Sequence, residues 1–380
     1  MAYDDQNYNG QWDTGEATYS ASELYDFDQP ANLVIPSDVA GGTLQNPDGD
    51  VSITARRITS EVDIEADSIT LEAELWGGGT VDVTGTRLTA RDGDVSVVGR
   101  EVLARDTTIE APDGSVSLEA ELSGGGPVDL TGATVRSDEG VEVVGTDVLG
   151  QTALIETEDG AVSLRAELSG AGTVDIGGAD VRATDDDVDV VGKEVLAVGS
   201  TIRAEDGSVS LRAELSGAGT VDLSESTVFV IEGDVTALGK SIVAENADVD
   251  TLDGSIRLAA TLSGGSDIDA DGAQLTATGG GDLAIDAVGD VYLRDAGQQA
   301  RVEALGEGDV KVDVFRGSHR VFVDGLVIED ADDVLDVSPN GAKVEGEPES
   351  GSTDARGGGN SNAGGGGGGN GNKGGGDKNK

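Results

Sequence analysis

Through the middle of the chain, apolar residues fall on alternate positions in short runs. Val162, Leu164, Ala166 and Leu168 make one run, and Val174 and Ile176 open the next. Gly, Asp and Ser interrupt the alternation every five to eight residues, which is a strand-and-turn signal. The segment VSLRAEL also suits a helix, because Leu164 and Leu168 are four apart and Arg, Ala, Glu and Leu are good helix formers. Its flanks, DG and GAGT, are breakers, and so short a helix between glycines is marginal. Strand is the expectation.

The runs recur. LEAELWGGGTVDV begins at Leu71, LEAELSGGGPVDL at Leu118, LRAELSGAGTVDI at Leu164, LRAELSGAGTVDL at Leu211 and the weaker LAATLSGGSDIDA at Leu258, at spacings of 47, 46, 47 and 47 residues. Each unit divides into halves of 21 and 26 residues, such as Gly93–Asp113 and Gly114–Glu139. Both halves open with Gly, one small or acidic residue, then Val-Ser-Val/Leu. A half holding three short strands is one turn of a parallel β-helix, in which stacking at about 4.8 Å pairs each strand with its equivalents above and below. The expected fold is all-β: a single-stranded parallel β-helix (β-solenoid) of about twelve turns, roughly 55–60 Å long, with flexible N- and C-terminal tails. Propeller blades share the period but need four longer strands and aromatic signatures, and the repeats have neither.

The run GDVSVVGREVLARDTTIEAPDGSVSLEAEL resembles the repeats of filamentous-haemagglutinin-type adhesins, and the resemblance covers residues 49 to about 290. It implies a β-helix with a structural or adhesive role. Secreted members of that family carry a signal and an N-terminal secretion domain, which this sequence does not contain. Bactofilins, polymerising cytoskeletal β-helices, are similar in style, but their shorter turns and denser VxGxVxG runs are not matched here.

Composition fits a thin core. Gly contributes 60 of 380 residues, aromatics only 3%, and the net charge is −50 from 74 acidic and 24 basic residues. A surface this acidic argues against nucleic acid, because phosphate binding needs basic patches. An acid-rich, Lys-poor chain resembles the proteins of haloarchaea, in which molar salt screens the self-repulsion. No Cys is present, so disulfides and thiolate metal sites are excluded. No apolar run approaches the 18 residues of a membrane span, so membrane insertion is not expected. The start, MAYDDQNYNGQWDTGE, has no basic n-region and no apolar h-region, so it does not read as a secretory signal.

The sequence divides into a leader with an N-terminal cap (1–48), the solenoid (49–336, with a C-terminal cap over about 291–336) and a Gly/Asn-rich tail (337–380). The leader holds six of the eleven aromatics: Tyr3, Tyr8, Trp12, Tyr19, Tyr25 and Phe27. They read either as part of a cap closing the first turn or as anchors for a protein partner. Phe315 and Phe322 are expected as bulkier packing in the C-terminal cap. The last thirty residues contain 14 Gly, as a flexible spacer does.

Candidate chemistry is sparse. The single His319 lies between Arg316 and Arg320 with no nucleophile motif beside it. DIDADG, Asp267 to Gly272, matches the first six positions of a calcium loop, but Thr278 stands where the bidentate acid belongs. Specific calcium is not expected, and cofactors other than loosely held cations are not implied. The repeat does place acids in series: Glu74, Glu121, Glu167 and Glu214, and Asp82, Asp129, Asp175, Asp222 and Asp269. Paired carboxylates serve polysaccharide-cleaving β-helices, but those use aromatics to stack sugars, and Trp76 is the one aromatic expected on these faces. The acids are expected to keep the rod soluble. The expectation is a non-enzymatic rod, a spike or fibre of a haloarchaeal virion or cell surface. It would be held through its leader by a protein partner, homo-oligomeric, with a surface glycan or S-layer receptor as a further partner. The alternatives are a cytoplasmic bactofilin-like scaffold and a polysaccharide-active enzyme.

Overall fold

The computed structural model describes residues 1–6, 17–37, 42–74, 79–120, 125–166, 172–213, 219–262, 266–296, 298–306, 308–315, 320–329, 334–338, 343–348 and 352–355. One coil consists of Val95–Gly99 in a first sheet, Glu101–Leu103 in a second and Thr108–Ala111 in a third. The next coil, Ser115–Ala120, Val128–Asp129 and Thr134–Ser137, lies parallel upon it, with Leu118 on Val97, Val128 on Val102 and Val135 on Ile109. Carried along the chain, this stacking builds sheets of 15, 16 and 13 strands. Thirteen successive coils contribute a strand to the third sheet; setting aside the first and last of them leaves about 11 turns of regular β-solenoid, close to the twelve expected from length. The alternate residues Val97, Val102 and Ile109 point inward and are fully buried, as are their equivalents throughout one continuous core. VSLRAEL is a strand at Val162–Ala166.

The three corners explain both the period and the glycines. Between the first and second sheets the shorter half needs one residue, Arg100 or Lys193, whereas the longer half spends residues 121–127. That difference makes the repeat two coils long. At the tight version, a Cβ on Gly192 would lie 2.7 Å from the Glu194 carbonyl oxygen and 2.8 Å from that of Gly172. The corner entering the first sheet is a side-chain ladder. Asp187 accepts from the Ser208 N–H, Ser208 Oγ from the Asp234 N–H, Asp234 from the Ser255 N–H and Ser255 Oγ from the Asp282 N–H, at 2.7–3.2 Å. At Ser208, Asp234 and Ser255 the small or acidic residue after the opening Gly is thus an inter-coil acceptor.

The ladders extend past the repeat at both ends. Asp26–Asp28, Asn32–Ile35 and Thr43–Gln45 form a first coil, parallel to Val51–Ala55, Arg57–Ser60 and Asp63–Ala66. Ala2–Asp4 then lies antiparallel on Asn32–Ile35 and covers that edge of the second sheet, with Thr18–Tyr19 paired on its far side. The only helical element among the described residues is the turn Ala21–Glu23. At the other end, Lys343–Glu345 and Ser352–Ala355 continue the second and first sheets beyond residue 336.

Two expectations about aromatics are corrected. Phe315 is 54% exposed and Phe322 only half-buried, so neither fills the core. Phe229, Tyr292 and Phe322 occupy outward positions on sheet faces, so Trp76 is not the one aromatic there. In the repeats the inward sites go to Val, Leu, Ile and Ala with an occasional Ser or Thr, and the rings of Phe229, Tyr292 and Phe322 lie outside.

Candidate functional site

The acid series on the second sheet is the feature most in need of a site-level account. Asp82, Asp129, Asp175, Asp222 and Asp269 form one outward column, with Leu103, Leu149, Leu196 and Val243 between them. Successive acids stand two coils apart, about 9.6 Å. Each closes the corner that follows it. Asp82 accepts the Thr84 N–H at 3.1 Å, Asp175 the Gly177 N–H at 3.1 Å and Asp222 the Ser224 N–H at 3.0 Å. Thr131 and Ser224 add hydroxyl donors to Asp129 and Asp222, both at 2.7 Å. This is the Asx turn, in which a short carboxylate replaces a backbone acceptor. The acids repeat because the corner repeats. Sequence reasoning assigned them to solubility and missed this role, although in four of the five a Thr, Gly or Ser stands two residues on.

Within this column the environments diverge. At Asp129 burial raises the carboxyl pKa, but hydrogen bonds from Thr131 and Arg105 outweigh it and the net shift is downward. At Asp269 burial raises it again, and the neighbouring Asp271 carboxylate adds to the rise. In DIDADG, Asp271 binds Arg294 and Asp267 accepts the Asp290 N–H at 2.8 Å, so both carboxylates already have donors from the chain. No group of three or more His, Cys, Asp or Glu able to hold a metal occurs among the described residues.

No family model, curated protein or solved structure matches the chain. The likeness to haemagglutinin-type repeats therefore stands at the level of a β-helix repeat fold.

Toward the C-terminal end the same column changes character. Tyr292 follows Asp269, and Phe322 stacks on Tyr292 with centroids 4.9 Å apart and planes 2° apart. Arg294 lies 4.8 Å from the Tyr292 ring centroid and Arg320 4.8 Å from that of Phe322. Arg294 also binds Asp271, and Arg320 binds Asp290. The ring faces are thus used within the chain. Aligning VYL, Val291 to Leu293, with the earlier VDL and VDI segments would have placed Tyr292 in the Asp column.

The six leader aromatics separate. Tyr3 and Phe27 are buried in the N-terminal cap. Tyr19 meets Phe27 edge-on at 4.8 Å, and the half-buried Tyr25 donates its hydroxyl to the Gln45 carbonyl at 2.6 Å. Tyr8 and Trp12 lie outside the described residues, as do Trp76, Glu121, Glu167, Glu214 and His319. Glu74 is exposed, 3.9 Å from Arg56.

Proposed function

We propose that this chain is a non-enzymatic structural rod, a spike or fibre element of a haloarchaeal virion or cell surface, attached through its leader. The observation that carries this reading is the architecture. Three continuous ladders share one core from Asp26 to Glu329, and the recurrent acids serve its corners. The antiparallel strand Ala2–Asp4 over the sheet edge at Asn32–Ile35 favours a rod of finite length over end-to-end polymer growth. Since Tyr3 and Phe27 belong to the cap, the anchoring role passes to Tyr8 and Trp12. A surface glycan or S-layer receptor would then be met by the sheet faces or the far end.

Electron microscopy of the purified protein in about 2 M salt, where charge is screened, tests the rod. Discrete rods about 60 Å long are expected; micrometre filaments would support the bactofilin-like scaffold instead. For attachment, Tyr8→Ser with Trp12→Ser should leave the β-sheet circular dichroism spectrum unchanged while abolishing incorporation into particles or envelopes. Unchanged incorporation would refute the anchor. Cleavage of acidic or neutral polysaccharides, lost on changing one acid pair, would establish the enzyme.

A further inference from the structure

The outward face of the first sheet carries a charge pattern that reverses half-way along the rod. In one column Glu72, Glu119, Arg165 and Arg212 occupy alternate coils, with Val98, Val144 and Val191 in the coils between. These four charged residues stand at one position of the sequence repeat. It reads LEAEL in the first two copies and LRAEL in the next two, which otherwise repeat almost residue for residue. All four are exposed. The corner acids need no such reversal, and Glu119 and Arg165 do not pair with each other within the solenoid, because they are two coils apart, about 9.6 Å. Within one copy, Arg165 forms a long ion pair with Asp189 at 3.9 Å. On the third sheet, by contrast, alternating charges pair within the copy, Arg136 with Glu156 at 3.0 Å.

We propose that the first-sheet face is the interface of an antiparallel, two-fold symmetric dimer of this chain, with Val144 on the axis. Turning one rod end for end about that coil sets Glu119 against Arg165 of the second copy and Glu72 against Arg212. Val98 then meets Val191, and Val144 meets its own equivalent. The next column obeys the same symmetry. Asp26 and Arg257, five coils to either side of Glu142, face each other, although Arg257 also binds Asp286 of its own copy at 2.7 Å. Most of the positions between them are Ser or Thr, small enough for two sheets to approach to about 10 Å. Glu142 meets Glu142 at the axis, the one like-charge contact among the pairings along these two columns. Parallel pairing about an axis along this column would set every Glu against Glu and every Arg against Arg. A shift by one coil would set charges against Val. The face, roughly 48 by 17 Å, offers on the order of 800 Å² per copy, the size of a standard specific interface.

The dimer goes beyond the structural-rod reading and is separable from it, since a rod that stays monomeric refutes only the dimer. Sedimentation of the full chain in about 1 M salt should show a dimer. Glu119→Arg should weaken it on the order of tenfold or more, because symmetry turns two ion pairs into two like-charge contacts. Adding Arg165→Glu should restore it. A monomer throughout, an unchanged dimer in E119R, or no rescue overturns the proposal. Cysteine variants test the orientation, since the chain has no Cys of its own. Opposed faces are beyond disulfide reach, so a short bismaleimide is the probe. V144C should cross-link to itself, and T54C should cross-link to L238C but not to itself. Self-cross-linking of T54C would mean parallel rods and would also overturn the proposal.

Discussion

Replacing Gly160 by Ala tests how closely the coils stack at the corner leading into the first sheet. A Cβ at Gly160 would lie 2.0 Å from the Glu139 carbonyl oxygen, 2.3 Å from its carbonyl carbon and 2.7 Å from the Gly140 nitrogen. A carbon and a carbonyl oxygen normally approach no closer than about 3.3 Å, so the two coils must part by about an ångström. All three obstacles are backbone, and rotamer changes give no relief. Parting loosens the Asp159 N–H to Asp138 bond at 2.8 Å and the Val141 N–H to Ala161 bond at 2.9 Å. Overpacking strain costs about 1–3 kcal/mol and each weakened bond about 1 kcal/mol, so a loss of about 3–5 kcal/mol is expected. Gly199→Ala is the control: its φ is +64° and nothing lies within 4 Å, so it should cost only about 1–2 kcal/mol of backbone strain. Urea unfolding followed by β-sheet circular dichroism in molar salt measures both. Gly160→Ala no worse than Gly199→Ala would refute the close stacking of these corners.

Three further outcomes follow from the corners. Thr152 has φ of 56° where Gly85, Gly132 and Gly178 stand at the equivalent corners of other coils, so Thr152→Gly should stabilise by about 0.5–1 kcal/mol, seen as a raised Tm. Asp222→Ala should cost about 1–2 kcal/mol through the two lost Ser224 bonds, while Asp222→Asn keeps an acceptor and costs less; equal losses would return the acids to a solubility role. Burial, then the Asp271 carboxylate, raise the Asp269 pKa in the fold, so its ionised form opposes folding and this penalty is relieved as pH falls through the raised value. Asp269→Asn should therefore stabilise slightly, by about 0.5 kcal/mol, at neutral pH and low salt. That gain should vanish in acid, and a gain that persists there refutes the assignment.

The solenoid was legible because its signals are local and repeated. Alternation at Val162, Leu164 and Ala166 fixed the inward face, and the two half-lengths marked two kinds of coil. The corners were legible only as punctuation. That Asp222 closes a turn with Ser224, or that Ser208 accepts from Asp234 26 residues on, depends on which residues the coils bring into register. The outward aromatics were misread for a different reason. In most folds Phe is a core residue, but this core is one residue deep per sheet and its ladders are already filled, so Phe322 lies outside against Tyr292. The leader divides for the same physical reason: Phe27 continues an inward ladder, paired with Ile53.

Salt should act on the dimer in a way that separates local pairing from overall charge. Each copy carries −50, so two rods in water repel over their whole length. The pairs Glu119 with Arg165 and Glu72 with Arg212 attract only at contact. At about 0.01 M salt the screening length is about 30 Å, comparable with the rod, and repulsion dominates. At about 1 M it falls to about 3 Å. The long-range term is then suppressed, while charges in contact inside a partly dry interface are screened less. Val144 and its neighbours gain in addition as salt strengthens apolar burial. Association should therefore strengthen from low salt to about 1 M, the reverse of an interface held by opposite net charges. Sedimentation across that range measures it. A dimer strongest at low salt would refute the charge argument, because two polyanions cannot be drawn together there by a few exposed pairs.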